Sequence, residues 1–181
     1  MARHMKVINL IAGPGAGKST TMAGVFHKLK KLGINAEQTP EWLKKAAWEG
    51  RGEVFKSPGY LLHNQAYELH ILRDKVEVIV SDSPLIIYGV YPKIYPSEYN
   101  TIDWLDHSFK LFEMYDNLNF YVDRTKPYNP SGRNQNKEEA IILDKAIKEM
   151  LDERNVDYTV LKDDDYIVDR IVEMYLKWSK K

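Results

Sequence analysis

The chain contains no cysteine. That excludes a disulfide framework, a thiolate zinc site and thiol redox chemistry, and it agrees with a reducing cytoplasm, the expected location. It has no apolar run of the roughly 18 residues that a membrane helix needs, and no signal-peptide pattern. It has no net charge either, with 26 basic residues balancing 26 acidic ones. This argues against avid, sequence-blind binding to nucleic acid, which requires a basic face, while leaving room for a local groove. Internal repeats and low-complexity linkers are missing as well.

What remains is an ordinary globular composition, 44% apolar and 29% charged over 181 residues. One domain is expected over 5–181, large enough for a central sheet with helices on both faces. Residues 1–4 read as an appended leader, with the native start at Met5.

The most informative stretch is 6–21, KVINLIAGPGAGKSTT. Apolar Val7, Ile8, Leu10 and Ile11 lead into a glycine-rich turn, and a helical pattern follows at once, which is the strand, loop and helix of a P-loop. Backbone N–H groups can converge on a phosphate chain only where the backbone approaches closely and adopts conformations that glycine tolerates. The cradle is expected to comprise Gly13, Gly15, Ala16, Gly17, Lys18, Ser19 and Thr20. Lys18 would reach the β/γ-phosphates and the Ser19 hydroxyl would ligate Mg²⁺, with the helix dipole aimed at the anion. The strict pattern places glycine where this chain has Ala12, and neighbouring Gly13 is expected to relieve the turn.

Further on, apolar periodicity and turn residues predict a helix over 19–32 stopped by Gly33, and a second strand over 34–38. Thr39-Pro40-Glu41 reads as a helix start, and the helix runs to 49. A helix over 60–75 and a third strand over 77–80 follow. The segment 88–99, with Tyr88, Tyr91, Tyr95 and Tyr99 interrupted by Pro92 and Pro96, reads as irregular. Then come a helix over 101–116, a strand over 118–122, a basic turn-rich loop over 123–135, a helix over 136–154, a strand over 158–161 and a closing helix over 165–178. Alternating strands and helices imply an α/β, doubly wound sheet of five parallel strands with helices on both faces and a basic lid loop.

Three groups of residues suggest chemistry beyond the loop. Asp82, just past the third strand, is placed to hold magnesium with Ser19. Glu41 follows the second strand; if the third strand lies between the first and second, the two carboxylates share a rim, and Glu41 can serve as general base. Arg124, Lys126 and Arg133 make the loop after the fourth strand a cationic lid that can neutralise a transferring phosphoryl group, with Asn134 and Gln135 adding polar contacts. Trp42, Trp48 and the tyrosines are expected mainly in the core, with base stacking as the alternative. His63 and His70, with Tyr67, are read as helix packing and not as a metal site.

With the loop GPGAGKST, the strand-end DSP and the lid KPYNPSGRNQ, the chain resembles the small P-loop kinases. It is most similar to phage-encoded proteins grouped with nicotinamide riboside kinase-like ATPase domains, and more distantly to deoxynucleoside kinases. The resemblance implies ATP and Mg²⁺ as cofactors and transfer of the γ-phosphate to a hydroxyl of a nucleoside-like acceptor. Some phage members of the group phosphorylate hydroxymethyluracil within DNA, so free nucleoside and modified DNA both stand as acceptors, with the host cytoplasm as the setting. Glu41 matches the deoxynucleoside kinase base, whereas Asp82-Ser83-Pro84 departs from the acid and arginine of those enzymes. Two other readings stay open. One is a nucleoside monophosphate kinase, with Arg51, Lys56 and Arg73 as the cations for the acceptor phosphate. The other is a nucleotide-dependent switch that regulates a protein partner.

Overall fold

The computed structural model describes residues 5–125, 127–129 and 135–180. Five strands, β1 (Lys6–Ile11), β2 (Ala36–Thr39), β3 (Val78–Ser81), β4 (Asp116–Asp123) and β5 (Thr159–Lys162), form one sheet of order β2-β3-β1-β4-β5. Every pairing is parallel, so both faces must be covered by the crossover helices. β1 shows how this is written locally. Val7 and Ile11 join one buried cluster, while Ile8, Leu10 and Ala12 join the other, because successive side chains of a strand point to opposite faces.

On one face lie α1 (Lys18–Lys31) and α7 (Ile167–Trp178), which place Met22, Val25, Leu29, Ile171 and Tyr175 against Ile8, Leu10 and Phe120. The other face carries α3 (Pro58–His70), α5 (Trp104–Phe112) and α6 (Lys137–Glu153), together with the short α2 (Trp42–Trp48) and α4 (Tyr91–Ile94). Several ends follow local rules. Gly33 takes φ +78° after α1, as a left-handed stop does. Asn136 and Glu139 form a reciprocal capping box at the start of α6, and Asp103 caps α5 by accepting from the Asp106 N–H.

Elsewhere the boundaries differ from those read in the sequence, for identifiable reasons. Thr39 does not cap a helix: it remains in β2, in register with Ser81, and α2 starts at Trp42 with Glu41 as its flanking residue. The helix expected to reach 75 ends at His70, and the chain turns through Asp74 at φ +61°. The helix expected from 101 starts only at Trp104, and Asp116 already belongs to β4. Segment 88–99 is partly ordered into turns, a 3-10 turn over Leu85–Gly89 and then α4. Pro92 is accommodated in the first turn of α4, where its missing N–H is not needed. Among the described residues no helix is long and apolar enough to cross a membrane.

Candidate functional site

The loop between β1 and α1 lies at the carboxyl edge of the sheet, and two of its glycines are required by backbone geometry. Gly15 and Gly17 have φ of +82° and +95°, a region that side chains disfavour. Gly13 has no such φ, so its role as relief of the turn is corrected. It is glycine because a Cβ there would stand 2.6 Å from Asp144 Oδ1. Its N–H donates to that same oxygen at 2.7 Å. A Cβ on Gly17 would likewise meet Asp163 Oδ2 at 2.5 Å.

Lys18 is buried, and its ammonium donates to the carbonyls of Ala12 and Gly13 at 2.8 and 2.9 Å. The side chain thus curls over its own loop, which places its charge within the cradle. Thr20 is exposed on the outer side of the first turn of α1, and Ala16 is buried.

Ser19 Oγ donates to Asp82 Oδ2 at 2.7 Å. Asp82 is buried, and burial holds its carboxyl above the usual range, opposed by the Ser19 hydrogen bond, by the Lys18 and Lys44 charges and by the Glu41 backbone N–H. Its Oδ1 is buried without a hydrogen bond of ordinary geometry among the described residues. A hydroxyl and a carboxylate with a spare oxygen are hard donors of the type that Mg²⁺ takes, so the residues present fit that ion.

Because β3 lies between β2 and β1, Glu41 and Asp82 leave neighbouring strand ends on one rim. The Glu41 charge helps raise the pKa of the buried Tyr88 and Tyr91, for both of which burial is the larger cause. Beside them Gln65, absent from the sequence reading, is fully buried. Its Oε1 accepts from the Trp42 backbone N–H and the Tyr88 hydroxyl, each at 3.2 Å, while its Nε2 has no partner among the described residues.

Of the expected lid, Lys126, Arg133 and Asn134 lie outside the described residues. Arg124 is brought to the loop: it donates to Asp144 Oδ2 through Nη2 at 2.7 Å and Nε at 3.2 Å. Tyr128 packs beside it over Gly15. Gln135 turns to the Tyr95 hydroxyl, which it favours in the charged form.

The aromatics separate. Tyr88 and Tyr91 are core, but Trp48 and Tyr99 are 67% and 55% exposed, against expectation. Trp42 is partly buried, edge-on to Tyr60 and covered by the Arg51 guanidinium. Of the cations expected for a monophosphate acceptor, Arg51 pairs with Glu49, Lys56 with Glu53, and Arg73 acts on Tyr115, just ahead of β4. His63 packs across to His107 of α5, Nε2 to Nε2, at 3.1 Å, and His70 is exposed.

Asp144 and Gln65 were legible only as anomalies, polar side chains within apolar helical stripes. Asp144 sits between Ala140 and Ile147, and Gln65 between Leu61 and Leu69. Asp163 follows β5 at the same edge of the sheet as Asp82, and strand-end position was the signal for it.

Comparison with known proteins agrees with this architecture. The structure of deoxyadenosine kinase from M. mycoides with the products dCMP and a flexible dCDP bound superposes with a TM-score of 0.57, at 19% identity, over 96% of this chain and 98% of that one. At that identity the likeness shows the fold, which is of the P-loop kinase type. No curated protein matches the chain by sequence. A family model described as AAA domain matches residues 7–167, and the chain therefore belongs to that P-loop family.

Proposed function

We propose that the chain is an ATP- and Mg²⁺-dependent phosphotransferase that moves the γ-phosphate to a hydroxyl of a nucleoside-like acceptor in the cytoplasm. The observation that carries this reading is the pair of carboxylates on adjacent strand ends beside a phosphate loop. Asp82 is tied to Ser19, whereas Glu41 acts on the aromatic pair Tyr88 and Tyr91. One acid belongs to the nucleotide side and the other to the acceptor side.

The loop N–H groups and Lys18 hold the phosphates, and Ser19 with Asp82 would hold Mg²⁺. Bound there, the ion supplies positive charge to the phosphate oxygens. Glu41 takes the acceptor hydroxyl proton as the new P–O bond forms, and Arg124 offsets charge on the transferring group. The unused amide donors of Gln65, next to Trp42 and Tyr88, suit an acceptor that brings hydrogen-bond acceptors on an aromatic ring, as a nucleobase does.

The pairing of Arg51 with Glu49 and of Lys56 with Glu53 weighs against a monophosphate acceptor, since both cations are already engaged. The test is incubation with γ-labelled ATP, Mg²⁺ and a panel of deoxynucleosides, deoxynucleoside monophosphates and DNA containing hydroxymethyluracil. Label on a nucleoside or on hydroxymethylated DNA is the expected result, and which of the two becomes labelled identifies the acceptor. Label on monophosphates establishes the monophosphate kinase instead. Label only in inorganic phosphate overturns the kinase reading in favour of a nucleotide switch.

A further inference from the structure

Asp144 has no part in the chemistry described so far, yet it touches both the phosphate loop and Arg124, the residue that follows β4. Its Oδ1 accepts the Gly13 N–H at 2.7 Å, and its Oδ2 accepts Arg124 Nη2 at 2.7 Å and Nε at 3.2 Å. We propose that Asp144 is a positioning residue that presets the Arg124 guanidinium over the phosphate loop. The inference rests on the phosphotransferase reading and assigns that site one more working part.

The geometry of the pair carries the argument. A guanidinium is planar, so two bonds from Nε and Nη2 to one carboxylate oxygen fix the direction of the remaining nitrogen. That nitrogen, Nη1, lies 3.0 Å from where a Cβ on Gly15 would stand. It is buried without a hydrogen-bond partner among the described residues. Its N–H groups are therefore held at the cradle, and the Tyr128 ring lies 5.7 Å from the guanidinium carbon.

The alternative, that Asp144 only fastens α6 to the loop, does not account for its charge. Asp144 occupies the stripe of Ala140, Leu143 and Ile147, and its side chain is 19% exposed, that of Arg124 17%. A half-hidden acid at such a position is costly, and apolar replacements of buried ion pairs are often as stable or more so. The loop conforms to this acid too, since Gly13 has ordinary φ and is glycine for the space Asp144 requires. An arginine already ordered at the cradle avoids the loss of side-chain freedom during the reaction, and small misplacements of such a group cost about a hundredfold in rate.

A double-mutant cycle on the full chain tests the inference, with single-turnover ADP formation from ATP and Mg²⁺ as the rate, a fluorescent ATP analogue for affinity and Tm for folding. The rate is measured with the acceptor that becomes labelled in the panel above, so that the γ-phosphate passes to its hydroxyl. D144N keeps an oxygen for the Gly13 N–H and removes the acceptor from Arg124. It should slow turnover about 10–100-fold while analogue affinity changes by less than about threefold. D144N combined with R124A should be no slower than R124A alone. Should D144N lower Tm substantially, D144E, which restores the charge, should recover both Tm and part of the rate. Costs that multiply in the double variant, or a D144N as fast as the parent, overturn the inference. K18A, run in parallel, separates the two levels: if it forms ADP at the parent rate, the phosphotransferase reading falls and this inference with it. If K18A is inactive and the cycle is additive, only the role of Asp144 falls.

Discussion

Ser19 and Asp82 are joined by a 2.7 Å hydrogen bond between side chains 63 positions apart. The bond fastens the first turn of α1 to the end of β3, and it draws a carboxylate into a buried place where its charge is disfavoured. A site that keeps an acid under such conditions does so at the expense of stability.

Asp82→Asn should therefore separate stability from activity. The amide is nearly isosteric and needs no buried charge, so Tm at neutral pH should be equal to or higher than the parent's. Phosphoryl transfer should fall and recover in part at high Mg²⁺, the donor set having lost an anionic oxygen. Thermal unfolding together with a Mg²⁺ titration of the rate checks both. A lower Tm with Mg²⁺-independent loss would mean that the carboxylate is structural.

Lys18→Ala removes the ammonium from within the loop together with its bonds to the Ala12 and Gly13 carbonyls. Transfer should drop by at least about 10²–10³, the scale of a preorganised electrostatic group. The sheet should persist by circular dichroism, with Tm slightly lowered. Near-parental transfer would end the P-loop assignment.

Glu41→Gln keeps the shape of the residue preceding α2 but cannot take a proton. Acceptor phosphorylation should fall by about 10²–10⁴ while ATP binding is nearly unchanged. The same variant should bring the Tyr88 and Tyr91 phenols down towards their usual pKa, since the Glu41 charge is among the causes that raise them. Single-turnover kinetics and tyrosine absorbance at high pH measure the two effects. Unaltered transfer would move the base to Asp82.

The His63–His107 contact gives a pH dependence away from the site. Burial first, then His63 and Lys110, hold His107 below the usual histidine value. A base whose pKa is lowered by folding binds protons more readily when unfolded. Its contribution is therefore complete above the unfolded value of about 6.5 and is lost as pH falls through it towards the lower folded value. Tm should decline between about pH 7 and pH 5, and less steeply in His107→Asn. Parallel profiles for the two proteins would show that the His107 pKa does not change on folding.

By itself the sequence determined the elements and the phosphate loop, because those depend on neighbours. Alternation in β1, the three-to-four spacing of Met22, Val25 and Leu29, and the order of glycines, lysine and serine in the loop are all short-range patterns. It also placed Asp82 and Glu41 at strand ends, while whether they share a rim depended on strand order, which the sequence left conditional. Tertiary structure decided that, by setting β3 between β2 and β1. It alone decided why Gly13 is glycine, since the partner that requires it lies 131 positions away, beyond any periodic pattern. It also decided which face of each aromatic is covered, so that Tyr88 is core and Trp48 is not. Burial and long-range pairing are properties of the packed layers, and no local stretch of chain encodes them separately.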